Sequence, residues 1–561
     1  MATIDYWRSS GISMLSRKLL GGCLALMLDG ACHATTQTDW ARFLDQATFG
    51  ATPSDIDSWK DQTIDGWIKN QAAIPPTLYP DLTPYPQSAN TGCPGTGTIR
   101  SSCIQQNYSM YPLQVQFFKN ALTAPDQLRQ KIAFALSQIL VVSGVKVQQP
   151  SSVGPYLNVL VKGALGNFRD LLEKVTLNPA MGYYLDMVNS DIASANGVLK
   201  PNENYAREVL QLFSIGLYRL NRNGSPMLDK KKQPIPAYSQ DDIEGFAAAF
   251  TGWTYATRPG ATPQKHNPQN YQSPMEIYRV GGKDVNHDHS AKTLLSYKGS
   301  VNTNLPADQD AAQDMSEALD NIFHHPNVGP FIGKMLIQFL VTSNPSPGYV
   351  SRVTAAFNDN GHGVRGDLLA TVRAILTDKE ARGTQHGSTA FGKLREPALF
   401  LTAFLRGTDG SSDGILNARI APMGEDIFNS TTVFNYYPHS FAVSGTSLQG
   451  PEFAIATSAS AIQRINLIHS LVYSKITSTG SGTSISLAPL ETLAASPDST
   501  ALIAYLNTYL LHGALNREVA MQIQTAISCK ETTTGVCSNA RARAQAALYL
   551  AATASIYQIQ E

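Results

Sequence analysis

Apolar residues recur in this chain at three- and four-residue intervals, segment after segment, and that period is the strongest constraint on its fold. Over 126–142, Leu128, Ile132, Phe134, Ala135, Leu136, Ile139 and Leu140 fall at helical spacing. The stretches 167–175, 308–323, 328–341, 367–376, 397–405, 499–511 and 540–556 also read as helices. Thr52-Pro53-Ser54-Asp55 has the form of a capping box with Pro at the first helical position. No regular series of alternating β-branched runs intervenes, which argues against a large sheet and leaves room only for small hairpins. The expectation is a mainly α, multi-helix globular fold with long loops.

At 561 residues the chain can bury a large core, and more than one domain is expected because single cores rarely exceed roughly 300 residues. Residues 73–107 and 255–300 carry the composition of loops, and 474–488 that of a flexible Ser/Thr/Gly linker. The expected organisation is a signal peptide at 1–34, a main helical domain at 35–473, the linker, and a C-terminal helical subdomain at 489–561 packed on the main domain.

The signal-peptide expectation rests on Arg17 and Lys18, the apolar run over 19–28, and the small residues Ala31 and Ala34. This predicts cleavage after Ala34 and a periplasmic or secreted protein, with Met14 as an alternative start to Met1. Leu20-Gly21-Gly22-Cys23 loosely resembles a lipobox, but almost no apolar run precedes it. The apolar run is too short to span a bilayer, and no later stretch is long enough, so no membrane span is expected. Lys+Arg and Asp+Glu both number 43, and charged residues are only 15% of the chain. The missing basic excess argues against a nucleic-acid partner.

Beyond the predicted cleavage point four cysteines remain. Cys93 and Cys103 bracket a Pro/Gly-rich loop, and Cys529 and Cys537 bracket a Thr-rich one. Two local disulfides are the simplest pairing in an oxidising compartment. The competing reading is a zinc site, although neither gap matches zinc-ribbon spacing.

Two polar clusters stand out in this charge-poor sequence. The first is Pro201-Asn202-Glu203-Asn204-Tyr205-Ala206-Arg207-Glu208. Tyr205, Val209, Leu212 and Phe213 form an apolar face, while Glu203, Arg207 and Gln211 lie on another. Asn202 is placed to cap this helix, and Glu203 favours the positive end of its dipole. Asp186 precedes the helix, and a second capped helix beginning at Ser239 leads to Trp253. Two carboxylates and an arginine at a helix start suit acid/base chemistry; an exposed helix with an i,i+4 Glu–Arg pair is the plainer reading. The second cluster is Asn286-His287-Asp288-His289-Ser290-Ala291-Lys292. Closely spaced His and Asp suit a metal, with His287 and His289 as ligands, or a His base oriented by a carboxylate. A polar loop whose histidines cap helix ends is the alternative.

Other matches fail on context. Gly410-Ser411-Ser412-Asp413-Gly414 fits GxSxG without a preceding strand. Gly361-His362-Gly363-Val364-Arg365-Gly366 fits GxGxxG but follows a polar turn. The run from Phe434 to His439 could stack on sugar faces or pack in the interior.

Together the segments ARFLDQATFG, NPAMGYYLDM, PNENYAREVLQLFSIGL, HDHSAKTLL, HPNVGPFIGKMLIQFLV, REPALFLTAFLR, VFNYYP and GPEFAI resemble the bacterial family catalogued as domain of unknown function 1800. The resemblance spans nearly the whole chain beyond the signal segment. A typical member continues to LGxG after the NENYARE helix, whereas Ile215-Gly216-Leu217-Tyr218 stands here. The resemblance implies a secreted, mainly helical protein, often encoded beside another exported family, and carries no settled reaction. Its motif falls on Asn202, Glu203, Asn204, Tyr205, Arg207 and Glu208, and on His287, Asp288 and Lys292.

The leading expectation is an exported hydrolase of a polymeric or glycan-like substrate. Glu203 or Glu208 would serve as acid or base, Arg207 would bind an anion or lower a carboxylate pKa, and Asp186, His287 and Asp288 would complete the site. Asn202, Asn204, Tyr205, Trp253 and Lys292 are the expected substrate contacts. The alternatives are a divalent-metal or redox-metal protein using the His287-Asp288-His289 loop, and a non-catalytic binding or assembly partner of a co-exported protein.

Overall fold

The computed structural model describes residues 36–196, 198–383, 390–528, 535–537 and 539–561. The expected signal peptide and Cys529 lie outside them. The architecture is mainly α, and the strands among the described residues are two-residue pieces in two-stranded antiparallel sheets.

Helices begin where side chains satisfy their free amides. Thr36 and Asp39 form a reciprocal capping box at Gln37–Ala47, as do Ser239 and Asp242 at Gln240–Ala249. At Pro53–Trp59 the expected capping box is half formed: Thr52 Oγ1 accepts the Asp55 amide, while Asp55 Oδ2 pairs with Arg406 at 3.2 Å. Some predicted boundaries move inward. The helix expected from 126 starts at Gln127, because Asp126 turns its Oδ2 to the Thr77 amide and to Gln130 Nε2. The last long helix, Ala540–Thr553, stops at Ala554, whose backbone is extended. The region 73–107, read as loop, contains the helices Ala89–Gly92 and Gly97–Asn107, tied by the Cys93–Cys103 disulfide with a Cα–Cα distance of 5.7 Å.

One apolar core runs from Trp40 to Tyr557. Each large side chain withdrawn from water there contributes about 1.5–3 kcal/mol before chain entropy is counted. Val328–Leu340 packs on Pro347–Asn358, and Gln127–Ile139 on Pro150–Gly163. Ala540–Thr553 packs on Ser458–Tyr473, Ala488–Ala494 and Arg517–Ile527. Within 474–488, Ile476 and Thr483 bond to each other, and Thr483–Ser484 pairs with Ser411–Ser412. At the chain end Ile559–Gln560 pairs with Lys393–Leu394. Among the described residues no helix is long and apolar enough to cross a membrane.

Candidate functional site

The helix Asn204–Gln211 buries Tyr205, Ala206, Val209 and Leu210. Tyr205 lies wholly in the core, with its hydroxyl 2.6 Å from Thr176 Oγ1. The opposite face carries the predicted ion pair: Arg207 donates to Glu203 Oε2 at 2.8 Å, and Gln240 Nε2 donates to the same oxygen at 2.9 Å. Asn202, expected at the cap, turns one residue early. Its Oδ1 accepts the Asn204 amide, while Glu203 occupies the cap position without its side chain accepting a helix amide.

Glu208 points another way. It is buried, and its Oε2 has no hydrogen-bond partner. Burial raises its carboxyl pKa above the usual range, against the opposing pull of Arg207. Two phenols feel its charge. Tyr184 and Tyr238 are each pushed up to about 12, chiefly by burial and further by Glu208. The Tyr238 hydroxyl is also without a partner. A carboxyl that keeps its proton above the ordinary range, with one oxygen free, has the chemistry of a general acid.

Asp186 links this helix to an open cleft. Its Oδ2 accepts from Asn204 Nδ2 at 3.1 Å, and its Oδ1 lies 2.7 Å from Lys146 Nζ, which also donates to the Tyr184 carbonyl at 3.0 Å. Asp186 sits at φ +58°, a left-handed conformation that Asp tolerates better than most side chains. Lys146 lines a cavity of about 260 Å³ with Tyr183, Tyr271, Gln149 and Gln269. That cavity shares Gln87, Tyr108 and Gln148 with a larger one of about 700 Å³ reaching Asn429, Thr431 and Tyr436. Among the described residues, the only charged side chains lining the pair are Lys146 and Asp426. Asp426 is bound by the amides of Gln114, Asn417 and Asn429. The cleft wall therefore combines phenol rings and carboxamides with aliphatic side chains such as Ile104, Met110 and Val145.

The His287 cluster is differently built. His287 and Asp314 are fully buried, with Nε2 2.9 Å from Oδ2. His287 Nδ1 faces Thr251. Lys292 Nζ lies 2.7 Å from the same Asp314 oxygen and donates to the carbonyls of Asp288 and Ser290. Asp288 caps its own turn through the amide and hydroxyl of Ser290. His289 directs both ring nitrogens at carbonyls, those of Gln309 and Asp284, at 2.9 Å each. Those bonds raise its pKa, the Asp284 carbonyl first, and a ring nitrogen held on a carbonyl is not turned towards a metal position. Among the described residues no group of three or more His, Cys, Asp or Glu side chains is placed to hold a metal ion. Trp253 is buried and strand-paired with Ile277. No hydrogen bond or ion pair among the described residues joins this cluster to Glu203 or Glu208.

A third constellation was not singled out as a site from sequence. Glu396, Glu425, Glu452, Lys393, Arg395, Asp45 and Lys131 meet in the core, none more than 3% exposed. Glu396 Oε2 accepts from the Tyr437 hydroxyl at 2.5 Å and Gln138 Nε2 at 3.1 Å. Glu425 accepts the Ala398 amide, and burial followed by the nearby Glu396 charge raises its pKa well above the usual range. Lys393 pairs with Glu452 at 2.9 Å and Arg395 with Asp45 at 2.7 Å. Burial, then Lys393, lowers Lys131 to about 7. Sealed from solvent, this network joins the helix Gln37–Ala47 to the middle of the chain, and Arg395 Nε also donates to the Tyr557 carbonyl at 3.0 Å. The only advance signal was the presence of charged residues inside otherwise apolar segments, as in REPALFLTAFLR.

No curated protein and no solved structure matches the chain. A family model described as a protein of unknown function (DUF1800) matches residues 42–559. That match takes in the NENYARE helix, the cleft, the His287 cluster and the sealed network, and the chain belongs to the DUF1800 family.

Proposed function

We propose that this protein, once exported, binds a neutral, hydroxyl-rich polymer of the glycan class along the cleft between Tyr436 and Tyr271. One observation carries the reading: two adjoining cavities lined by Tyr108, Tyr183, Tyr271, Tyr436 and several carboxamides, with Lys146 and Asp426 the only charged residues among the described ones that line them. Aromatic faces pack on the apolar faces of sugar rings, and amides both donate to and accept from hydroxyls. A strongly charged polymer would find one cation, already paired with Asp186.

The test is calorimetric titration with soluble neutral oligosaccharides of several linkages, using the native protein and the Tyr183→Ala and Tyr271→Ala variants. Binding that falls about tenfold or more in either variant, a loss of ~1.4 kcal/mol, supports the reading. Absence of binding to every oligosaccharide, or binding indifferent to both substitutions, overturns it.

Hydrolysis is the second reading, and Glu208 favours it: its carboxyl pKa is raised and one of its oxygens has no partner. Bound polymer would have to reach this carboxyl past Tyr184, whose carbonyl is held by the cleft lysine Lys146. Glu208→Gln preserves shape and removes the proton. Loss of reducing-end release with retained oligosaccharide binding supports hydrolysis, and unchanged release removes Glu208 from the reaction.

A further inference from the structure

Between the NENYARE helix and the helix Gln240–Ala249 the chain leaves the core as an arm spanning residues 217–237. Three short segments bond to one another: Arg219 N to the Ile235 carbonyl at 2.8 Å, Met227 N to the Arg219 carbonyl at 2.7 Å, and Ile235 N to the Met227 carbonyl at 3.0 Å. The arm is rigidly rooted. Buried Asn327 donates to the carbonyls of Ile215 and Tyr218 and accepts the Leu220 amide. A tight turn closes its far end, where Asp229 Oδ1 accepts the amides of Lys231 and Gln233.

The surface of this arm differs from the rest of the molecule. Arg219, Arg222, Lys230, Lys231 and Lys232 are all exposed, and none forms an ion pair among the described residues. Asp229 is the arm's single acid, and acidic residues resume only at Asp241. Beside these cations stand exposed apolar side chains: Leu217 at 50%, Met227 at 40% and Leu228 at 54%. A chain with equal numbers of acids and bases thus carries a local excess of four positive charges.

We propose that this arm docks the protein on an anionic lipid surface, with the cations meeting phosphate headgroups and Met227 and Leu228 entering the interfacial layer. Cations interleaved with a few apolar side chains are the chemistry that such a surface rewards. Pro226, Pro234 and Pro236 each sit in a bridge of the arm and offer no amide, which disfavours addition of a partner strand. The five exposed cations and three exposed apolar side chains number eight, fewer than the about 20–30 residues a side that a stable protein interface usually engages, whereas a bilayer needs only the tip.

The test is co-sedimentation of the purified protein with vesicles of phosphatidylcholine alone and of phosphatidylcholine with three-tenths phosphatidylglycerol. Two variants accompany it, Lys230→Ser/Lys231→Ser/Lys232→Ser and Met227→Ser/Leu228→Ser, with thermal denaturation as a check on folding. Expected are phosphatidylglycerol-dependent binding, an apparent affinity at least about tenfold lower in both variants, and an unchanged melting temperature. No dependence on phosphatidylglycerol, or binding unaltered in both variants, overturns the proposal. Loss in the lysine variant alone, with the Met227/Leu228 variant bound as well as the native protein, also overturns it and assigns the arm to an acidic protein or other soluble polyanion. If either variant melts early, single Lys231→Ser and Leu228→Ser substitutions replace it, with a loss of about fivefold expected for the single lysine, and binding unaltered in both overturns the proposal.

Discussion

Lys146 Nζ stands 2.7 Å from Asp186 Oδ1, and this contact joins the wall of the cleft to the NENYARE helix. The lysine lines the cavity, and the aspartate's second oxygen holds Asn204 at the start of the helix. The motif therefore reaches the rim of the cleft through an ion pair, while its tyrosine is a core residue.

Because both partners of that pair are about two-fifths exposed, Lys146→Met is expected to change stability by no more than about 1 kcal/mol. Its effect belongs in the cleft, where the freed Asp186 and a repositioned Tyr183 would weaken oligosaccharide binding. Urea denaturation alongside calorimetric titration separates the two. A large stability loss would mean that the lysine holds the fold rather than the cleft.

Asp314 carries the opposite expectation. It is the buried anion shared by His287 and Lys292. Asp314→Asn leaves the Lys292 ammonium without a counter-charge in the core, at a cost of about 3–5 kcal/mol. The measurement is the midpoint of urea unfolding at neutral pH. A change below about 1 kcal/mol would show that the lysine rearranges to water. Asp314→Asn combined with Lys292→Met should recover part of the loss, since it removes both charges.

Three histidines, His325 and His512 buried and His439 half-buried, make stability fall with acid. His325, His439 and His512 are each lowered to about 4, in every case mainly by burial. In the unfolded chain they take up protons near 6.5. The unfolded state therefore binds more protons between those values, and stability falls as pH drops from 6.5 towards 4. His439→Gln, at the site against Phe339, should shrink the difference between unfolding midpoints at pH 7 and pH 5. An unchanged difference would assign the acid sensitivity elsewhere.

Glu425 pulls in the other direction. Its raised carboxyl means that the folded state keeps a proton that the unfolded chain releases above about 4.3. Stability contributed by that proton is present at low pH and declines as pH rises from the ordinary glutamate value towards the folded one. Glu425→Gln keeps an acceptor for the Ala398 amide and removes the titration. The variant should match the native protein near pH 4 and exceed it increasingly towards pH 8 in urea midpoints. Parallel curves would show that Glu425 is ionised in the fold.

Local order was legible in the residues. Ser239 announced the cap of its helix, the four-residue spacing of Glu203 and Arg207 announced their ion pair, and Cys93 paired with Cys103 as the local spacing suggested. Each depends on neighbours a few positions apart, and the backbone geometry of one helix or loop is enough to bring them together. The mainly α class followed for the same reason, from an apolar period that needs no knowledge of the partner surface.

Long-range placement was not legible. Residues of the NENYARE motif look alike in one dimension, yet Tyr205 enters the core, Glu203 meets Arg207 at the surface, and Glu208 is buried with an oxygen unpaired. His289 has the spacing of a ligand and spends both nitrogens on carbonyls from Asp284 and Gln309. Asp45 and Arg395 meet across 350 positions, and the cleft wall is drawn from segments as distant as Gln87 and Tyr436. Helix period and capping are short-range properties carried by the residues themselves. Which charges become buried, and which tyrosines face an open cleft, depends on how distant helices pack, because the cost of burying a charge is set by the partners that packing supplies.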